Sequence, residues 1–220
     1  MARLARQHRR IDAEQFTLGG IGVGHHSPGQ VRRGAGQVGE PLTGRKTTLN
    51  LYPLAQTELA DRYNRHELKE KLADYLIFGT YPEVLTAKTR QDRIDVLAEI
   101  SNSYLLKDIL ALDRIRSSRT LLDLLKLLAF QIGSEVSITE LATQLGVDVK
   151  TVKRYLDLLE KSFVVFRLNG FSRNLRQEVT NKSKYYFLDN GIRNAVIAQF
   201  NGLDQRADCG ALWENFFVME

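Results

Sequence analysis

The segment 137–166 constrains the fold of this chain more than any other part of the sequence. Ser137 and Glu140 have the spacing of a capping box, which predicts a helix that begins after Ser137 and ends at Gly146. Asp148 then offers an N-cap for a second, longer helix. Two helices joined by a tight turn that contains glycine form a helix-turn-helix.

Strand-forming residues follow this pair of helices. The second helix is predicted to end at about Lys161, and Val164–Phe166 then reads as a strand. A second run of strand formers at Tyr185–Leu188 completes a two-stranded wing. We therefore predict a mainly α fold, in which a helical region is joined to a winged helix-turn-helix with a small β wing.

Positive charge is concentrated in two regions of a chain whose formal net charge is +5. Residues 1–45 carry a net charge of +4 and residues 150–185 a net charge of +6, which leaves −5 for the remainder. A cationic second helix and wing on an otherwise acidic body is the pattern expected for contact with phosphates. Solvated surface cations account for the same pattern, so both interpretations stay open.

This charge pattern favours double-stranded DNA as a partner. The residue types in the second helix and the wing indicate which side chains would contact it. Cationic and hydroxyl side chains crowd the first turn and a half of the second helix, where a recognition helix contacts base edges and flanking phosphates. Two arginines lie within the long wing tip, residues 169–184, where they could contact the DNA backbone. The predicted DNA-binding residues are Lys150, Thr151, Lys153, Arg154, Arg173 and Arg176.

Composition excludes several other classes of protein. Cys209 is the single cysteine, so the chain has no internal disulfide and no cysteine-rich zinc cluster, as expected for a reducing cytoplasm. The basic N-terminus lacks the apolar run of a secretory signal. The apolar cluster 121–130 is interrupted by Asp123 and Lys126, is too short to span a bilayer, and predicts a core helix. We expect a cytoplasmic protein with no membrane partner.

The chain before the winged helix divides into a glycine-rich leader and a helical region. Eight of the 16 glycines lie between Gly19 and Gly39, so we expect residues 1–39 to be disordered or an aberrant leader. The patterns that follow predict one strand and a series of helices. They are a strand at 47–51, helices at 58–63, 66–78, 91–112, 119–132 and 192–200, and a short helix from about Gly210 that includes Trp213.

No self-contained catalytic or metal site is recognisable in the sequence. The stretch Gly39–Thr47 almost spells a P-loop, but Arg45 separates the glycine from the lysine, and a strand rather than a helix is predicted to follow. The adjacent His25 and His26 have no acidic or cysteine partners nearby in the sequence, so we expect no metal site. The lone thiol of Cys209 is expected to be inert.

From Glu40 onward the chain resembles the prokaryotic AAA-class ATP-binding proteins that carry a C-terminal domain of unknown function. The resemblance covers about four-fifths of the chain. It rests on the stretches E-P-L-T-G-R from Glu40, L-Y-P-L from Leu51, G-T-Y-P-E from Gly79, Y-L-L-K-D-I from Tyr104, L-G-V-D-V-K-T-V-K-R-Y-L from Leu145, Y-Y-F-L-D-N-G from Tyr185 and W-E-N-F-F-V-M-E from Trp213.

The resemblance implies a domain order and two departures from it. In that family a P-loop ATPase domain precedes a helical region, a winged helix and a nuclease-like region. It implies the ranges 1–39 (leader), 40–63 (end of an ATPase domain), 64–133 (helical region), 134–189 (winged helix-turn-helix) and 190–220 (start of a nuclease-like region). The P-loop and Walker-B segments are missing, so the resemblance implies a relative truncated at both ends and no cofactor in this chain. ATP and Mg²⁺ are implied only for full-length relatives.

Two residues receive roles from the resemblance alone. Arg45 matches the family's Gly-Arg step near the end of the ATPase domain, which makes it a vestigial candidate for contact with nucleotide. Glu214 matches the first acidic residue of the nuclease-like region, whose later acidic and lysine positions this chain lacks. We therefore expect no catalytic activity from this chain.

Three interpretations of function follow. The leading one is a non-catalytic relative of an AAA-class ATPase that keeps a winged helix able to bind DNA. The second is a protein-docking module that associates with itself or with a full-length relative through an apolar C-terminal edge formed by Trp213, Phe216, Phe217 and Val218. The third is a damaged fragment of an ATP-dependent enzyme.

Overall fold

The structure, a computed structural model, describes residues 52–105, 117–170 and 183–220, which belong to one compact unit, residues 49–220. Several predictions lie outside the described residues. They are the leader 1–39, the near-P-loop Gly39–Thr47 with Arg45, the strand 47–51, the end of the helix predicted to reach Leu112, and the wing-tip residues Arg173 and Arg176.

The described part is mainly helical, with a small antiparallel sheet. The helices are α1 (Gln56–Leu59), α2 (Arg65–Phe78), α3 (Pro82–Thr86), α4 (Arg90–Glu99), α5 (Ser118–Phe130), α6 (Ile138–Leu145), α7 (Val149–Lys161), α8 (Asn190–Val196) and α9 (Cys209–Met219). A π-helical segment, Ile100–Leu105, continues α4, and a 3-10 turn spans Leu203–Gln205. The strands are β1 (Glu135–Val136), β2 (Val165–Asn169) and β3 (Ser183–Phe187).

The winged helix-turn-helix is confirmed, and it gains a strand that was not predicted. Strand β3 lies in the centre of the sheet, pairing Val165 with Phe187 on one side and Val136 with Ser183 on the other. Because β1 has only two residues, it is too short to produce an alternating pattern of apolar residues in the sequence. It forms because the chain entering α6 passes beside β3.

Several element boundaries differ from the prediction. The first helix is α1, Gln56–Leu59, rather than 58–63, because a capping hydrogen bond from the Ala55 amide to Glu58 Oε2, at 2.8 Å, sets an earlier start. The predicted helix 91–112 changes to π-helical geometry at Ile100. Helix α8 begins at Asn190 instead of Ile192, because Asp189 caps it, and it ends at Val196 rather than Phe200.

Leucine-rich helices supply most of the core. Leu121, Leu124 and Leu128 of α5 are at most 1% exposed and pack with α6 and α7 of the helix-turn-helix. Tyr155, Leu156, Leu158 and Leu159 of α7 are also all buried. Burial of these side chains stabilises the helix-turn-helix, since each large apolar side chain that is buried contributes roughly 1.5–3 kcal/mol.

Helix α8 is unusual because its buried face is polar. Asn190, Arg193 and Asn194 are each at most 3% exposed. Asn194 Nδ2 donates to the Ile77 carbonyl oxygen of α2 at 2.8 Å, and Arg193 Nε donates to the Ala129 carbonyl oxygen of α5 at 2.8 Å. Side chains of one short helix therefore satisfy the backbone carbonyls at the ends of two longer ones.

A close backbone contact makes this arrangement possible. A Cβ atom on Gly191 would lie only 2.0 Å from the Phe78 carbonyl oxygen, so a larger residue could not let α8 approach α2 in this way. Asn190 also holds α9, because its Nδ2 donates to the Leu212 carbonyl oxygen at 3.1 Å. Helix α8 thus joins the helical region, the sheet and the C-terminal helix.

Candidate nucleic-acid interface

The turn of the helix-turn-helix is built from local hydrogen bonds. Ser137 Oγ accepts from the Glu140 amide at 3.4 Å and caps α6, while the Glu140 carboxylate accepts from Gln144 instead of completing a capping box. Gly146 ends α6 in the left-handed conformation, with φ of 65°. Asp148 Oδ1 then accepts from the Thr151 amide at 2.8 Å and starts α7.

Three of the predicted contact residues lie together on the exposed side of α7. Lys150, Lys153 and Arg154 are all exposed within its first two turns. Within the described ranges no ion pair engages Lys150 or Lys153, so their ammonium groups are available to solvent or ligand. The Arg154 guanidinium lies 5.5 Å from the centre of the Tyr155 ring, which restrains its orientation.

Thr151 has a structural part to play that the sequence did not reveal. Its Oγ1 donates to Asp148 Oδ2 at 2.8 Å while its amide donates to Oδ1. These hydrogen bonds, the side-chain one foremost, lower the pKa of Asp148, so this carboxyl is ionised at neutral pH. The Thr151 hydroxyl is therefore committed to the cap as a donor and retains only its acceptor capacity.

Acidic residues limit the cationic surface to the N-terminal half of α7. Asp157 and Glu160 are exposed one to two turns beyond Lys153, and Lys161 follows at the end of the helix. The favourable field for an anion therefore surrounds Lys150, Lys153 and Arg154, which we call the cationic patch. In winged helices that bind DNA, the N-terminal residues of the second helix enter the major groove, so this distribution suits that geometry.

The described part of the wing holds its polar groups in place. Arg167 Nε donates to Ser183 Oγ at 3.0 Å, and Ser183 Oγ donates to Asn169 Oδ1 at 3.1 Å. Phe166 and Leu168 on the same strand are 41% and 42% exposed. Arg173 and Arg176, the two predicted wing contacts, lie outside the described residues.

A second polar cluster connects the sheet to α9. Glu214 Oε1 accepts from Lys184 Nζ at 3.0 Å and from Tyr186 Oη at 2.6 Å. The Tyr186 hydrogen bond is the main reason that the pKa of Glu214 is lowered. The carboxylate matched to a nuclease-like region is therefore engaged as an acceptor between a strand and a helix, and Lys184 is neutralised.

Asn215, which the sequence did not single out, fixes α9 against the sheet. Its Oδ1 accepts from the Phe187 amide at 2.8 Å and its Nδ2 donates to the Phe187 carbonyl oxygen at 2.9 Å. This side-chain amide continues the pairing of β3 beyond the short strand β1. The sheet thus covers one side of α9, and of the apolar edge Trp213 and Phe217 remain largely exposed.

Other candidate chemistry is weak within the described ranges. No group of three or more His, Cys, Asp or Glu side chains there is arranged to hold a metal ion. Cys209 Sγ donates to the Leu203 carbonyl oxygen at 2.8 Å, and His66 lies 3.5 Å from Glu70 on the surface of α2. None of the described helices combines the length and the apolar character required to cross a membrane.

Comparison with known proteins gives a family and several distant relatives. Residues 69–204 match a family described as a domain of unknown function (DUF8612). An uncharacterized protein of Haemophilus influenzae is 26% identical over 174 residues, which are 75% of this chain and 43% of that protein. An uncharacterized protein of Mycobacterium tuberculosis is 27% identical over 180 residues, which are 77% of this chain and 41% of that protein.

A more distant match extends the comparison to an archaeon. An uncharacterized protein of Methanocaldococcus jannaschii is 22% identical over 169 residues, which are 70% of this chain and 38% of that protein. The chain therefore spans less than half the length of the curated relatives that it matches. No solved structure matches the chain.

Proposed function

We propose that this chain, which belongs to the family of the domain of unknown function DUF8612, binds duplex DNA through the cationic patch of α7. The observation that carries the proposal is the exposure of Lys150, Lys153 and Arg154 on the second helix of a winged helix-turn-helix. The patch offers positive charge to phosphates without a described acidic partner at Lys150 or Lys153. Such contacts give affinity that depends on salt and little on sequence.

The shape of the site supports contact by the beginning of α7 rather than by its whole length. Asp157 and Glu160 would repel phosphates approaching the second half of the helix. Asp148 is also anionic, but its carboxylate oxygens both accept hydrogen bonds from Thr151 and are turned to the cap. A small cationic patch of this kind is expected to bind random duplex DNA with micromolar or weaker affinity.

A fluorescence-anisotropy titration of a labelled random duplex at low and moderate salt tests this proposal. The triple substitution Lys150→Ala, Lys153→Ala and Arg154→Ala is expected to weaken binding at least tenfold. If all three residues contact phosphates, the slope of log affinity against log salt concentration should also fall by about 3 in magnitude.

A matched control separates the patch from net charge. The triple substitution Arg65→Ala, Lys69→Ala and Lys88→Ala removes the same charge from exposed positions outside the winged helix. It is expected to leave affinity and salt slope close to those of the unaltered chain. Equal losses in both triple variants, or unaltered binding after the patch is removed, would contradict the proposal.

Self-association is the second candidate function, and the exposed side of α9 favours it. Phe217 is 80% exposed and Trp213 is 44% exposed, one turn apart on the same helix. Sedimentation velocity over a range of concentrations is expected to show a dimer that the double substitution Trp213→Ala and Phe217→Ala converts to a monomer. A sharp monomer at high concentration would leave these side chains without such a role.

The link to AAA-class ATPases belongs to the same proposal. We propose that longer proteins of this kind join the region described above to an ATPase domain that uses ATP and Mg²⁺. The support for this is the set of sequence motifs that begins at Glu40. For this chain we expect no nucleotide binding, because its near-P-loop has the wrong spacing. Saturable micromolar binding of ATP in a calorimetric titration would refute that expectation.

A further inference from the structure

Val149 is an exposed apolar side chain at the first position of α7. It is 37% exposed, whereas the other apolar and aromatic side chains of this helix are at most 8% exposed, namely Val152, Tyr155, Leu156, Leu158 and Leu159. The structure describes every residue of α7, so Val149 is the one apolar side chain that this helix leaves exposed. The rest of the exposed side of α7 is charged.

Helix formation gives no reason for a valine at this position. A branched Cβ restricts the χ1 torsion and makes valine a weak helix former. The start of α7 is set by Asp148, which accepts a hydrogen bond from the Thr151 amide at 2.8 Å. Val147 and Val152 pack into the core on either side of this turn. Since single exposed apolar residues are common on proteins, the meaning of Val149 depends on its neighbours.

The neighbours of Val149 on the exposed side of α7 belong to the cationic patch. Lys150 follows it directly, and Lys153 lies about 40° around the helix and about 6 Å along its axis. Side chains of a helix lean toward its N-terminus, so Val149 projects from the beginning of α7. It therefore forms the apolar end of the cationic patch, at the end of the helix that would enter a major groove first.

The chemistry of valine limits what it can contact in DNA. Lys150 and Lys153 have long side chains that can reach phosphates at the edges of the groove, while Val149 is short and has no hydrogen-bonding group. It therefore contributes nothing to a phosphate contact and can bind only an apolar group. Among the four standard bases, thymine alone presents one in the major groove, its C5-methyl group.

We propose that Val149 contacts the C5-methyl group of thymine in the major groove and gives this chain a preference for A·T base pairs. This inference rests on the proposed function, because the cationic patch must first bring the beginning of α7 to the groove. Burial of one methyl group corresponds to about a fourfold gain in affinity. The preference is therefore modest, as expected for binding that depends mostly on phosphates.

Fluorescence-anisotropy titration of the full chain with two labelled duplexes tests this inference. Both have one sequence of A·T pairs between G·C ends, and in the second duplex uracil replaces every thymine. This replacement removes the methyl groups and keeps the hydrogen-bonding groups of the bases. The thymine duplex is expected to bind about fourfold more tightly. The salt slope is expected to be the same for both, because the phosphates are unchanged.

Val149→Ser removes the apolar surface from this position. The variant is expected to bind both duplexes equally, with the affinity that the unaltered chain has for the uracil duplex, which also shows that it is folded. Leu168→Ser is the matched control, since Leu168 is 42% exposed. Leu168 pairs with Lys184, which bonds to Glu214, so it lies on the face of the sheet turned to α9. This control is expected to keep the thymine preference.

The possible outcomes separate this inference from the proposed function. Absence of binding to either duplex would overturn both. Salt-dependent binding of both duplexes with equal affinity would support the proposed function and overturn the role of Val149. A thymine preference that persists in Val149→Ser would also overturn it, because another residue or the shape of the duplex would then be the source.

Discussion

The buried carboxylate of Asp189 accepts hydrogen bonds from two separate parts of the chain. Its Oδ2 accepts from the Thr80 amide at 2.7 Å, and its Oδ1 accepts from the Ile192 amide at 3.0 Å. The side chain thus caps α8 and also holds the chain between α2 and α3. Burial nevertheless dominates and raises the pKa of Asp189 from 3.8 to about 6.

This raised pKa predicts how stability depends on pH. The folded state binds the Asp189 proton more tightly than the unfolded state does, so the stabilising contribution is complete below about pH 4. It is lost as the pH rises to about 6, and the shift of about 2 units corresponds to about 3 kcal/mol. Urea unfolding at several pH values between 4 and 7 should show this fall, and Asp189→Asn should abolish it.

Asp148→Asn provides the control for that measurement. Asp148 is an exposed N-cap whose pKa is lowered, so its contribution is lost only when the pH falls below about 4. Asparagine is an equally good N-cap. The fall between pH 4 and 6 should therefore persist in this variant, and its disappearance would show that Asp189 is not the group responsible.

At the level of single elements, Gly146 and Gly210 both have room for a side chain but differ in backbone conformation. A Cβ atom on Gly146 or on Gly210 would meet nothing within 4 Å, so neither site restricts a methyl group by contact. They differ in backbone conformation. Gly146 is left-handed in the turn between α6 and α7, with φ of 65°, whereas Gly210 lies in the first turn of α9.

Alanine substitutions at these two positions are expected to change stability in opposite directions. Gly146→Ala should lower the free energy of unfolding by about 1 kcal/mol, because an L-residue is strained in the left-handed region. Gly210→Ala should raise it by about 0.5 kcal/mol, because alanine favours helix. Urea midpoints of both variants test the assignment, and stabilisation by Gly146→Ala would contradict the left-handed turn.

At the scale of the whole described unit, α8 connects elements that the sequence suggests are separate. It packs against α2, α4, α5, α9 and β3. Arg193, only 2% exposed, pairs with Asp208, whose pKa falls to about 2, mainly through its hydrogen bond from Arg206. Removing Asp208 would leave the buried guanidinium groups of Arg193 and Arg206 without their carboxylate partner, which makes independent opening of these elements costly.

This connectivity predicts that the helical region and the winged helix unfold together. Trp213, the single tryptophan, reports on α9 through its fluorescence, while far-ultraviolet circular dichroism reports on all helices. The two signals are expected to give coincident urea midpoints. Clearly separated midpoints would show that α8 does not couple the elements as its contacts indicate.

The sequence by itself determined the local features of this protein. Ser137, Gly146 and Asp148 act on amides and torsions within a few residues of themselves, so their spacing was enough to predict the helix-turn-helix. The helical spacing of apolar residues was enough to predict α2 and α5, and runs of strand-forming residues were enough to predict the two longer strands. The cationic patch was also predictable, because exposed charges on α7 follow from its helical period.

Only the tertiary structure decided the features that join distant parts of the chain. Asn215 pairs with Phe187, Asp189 with Thr80, and Asn194 with Ile77, across 28, 109 and 117 positions. No periodicity marks such partners, since a buried asparagine and an exposed one look alike in a sequence.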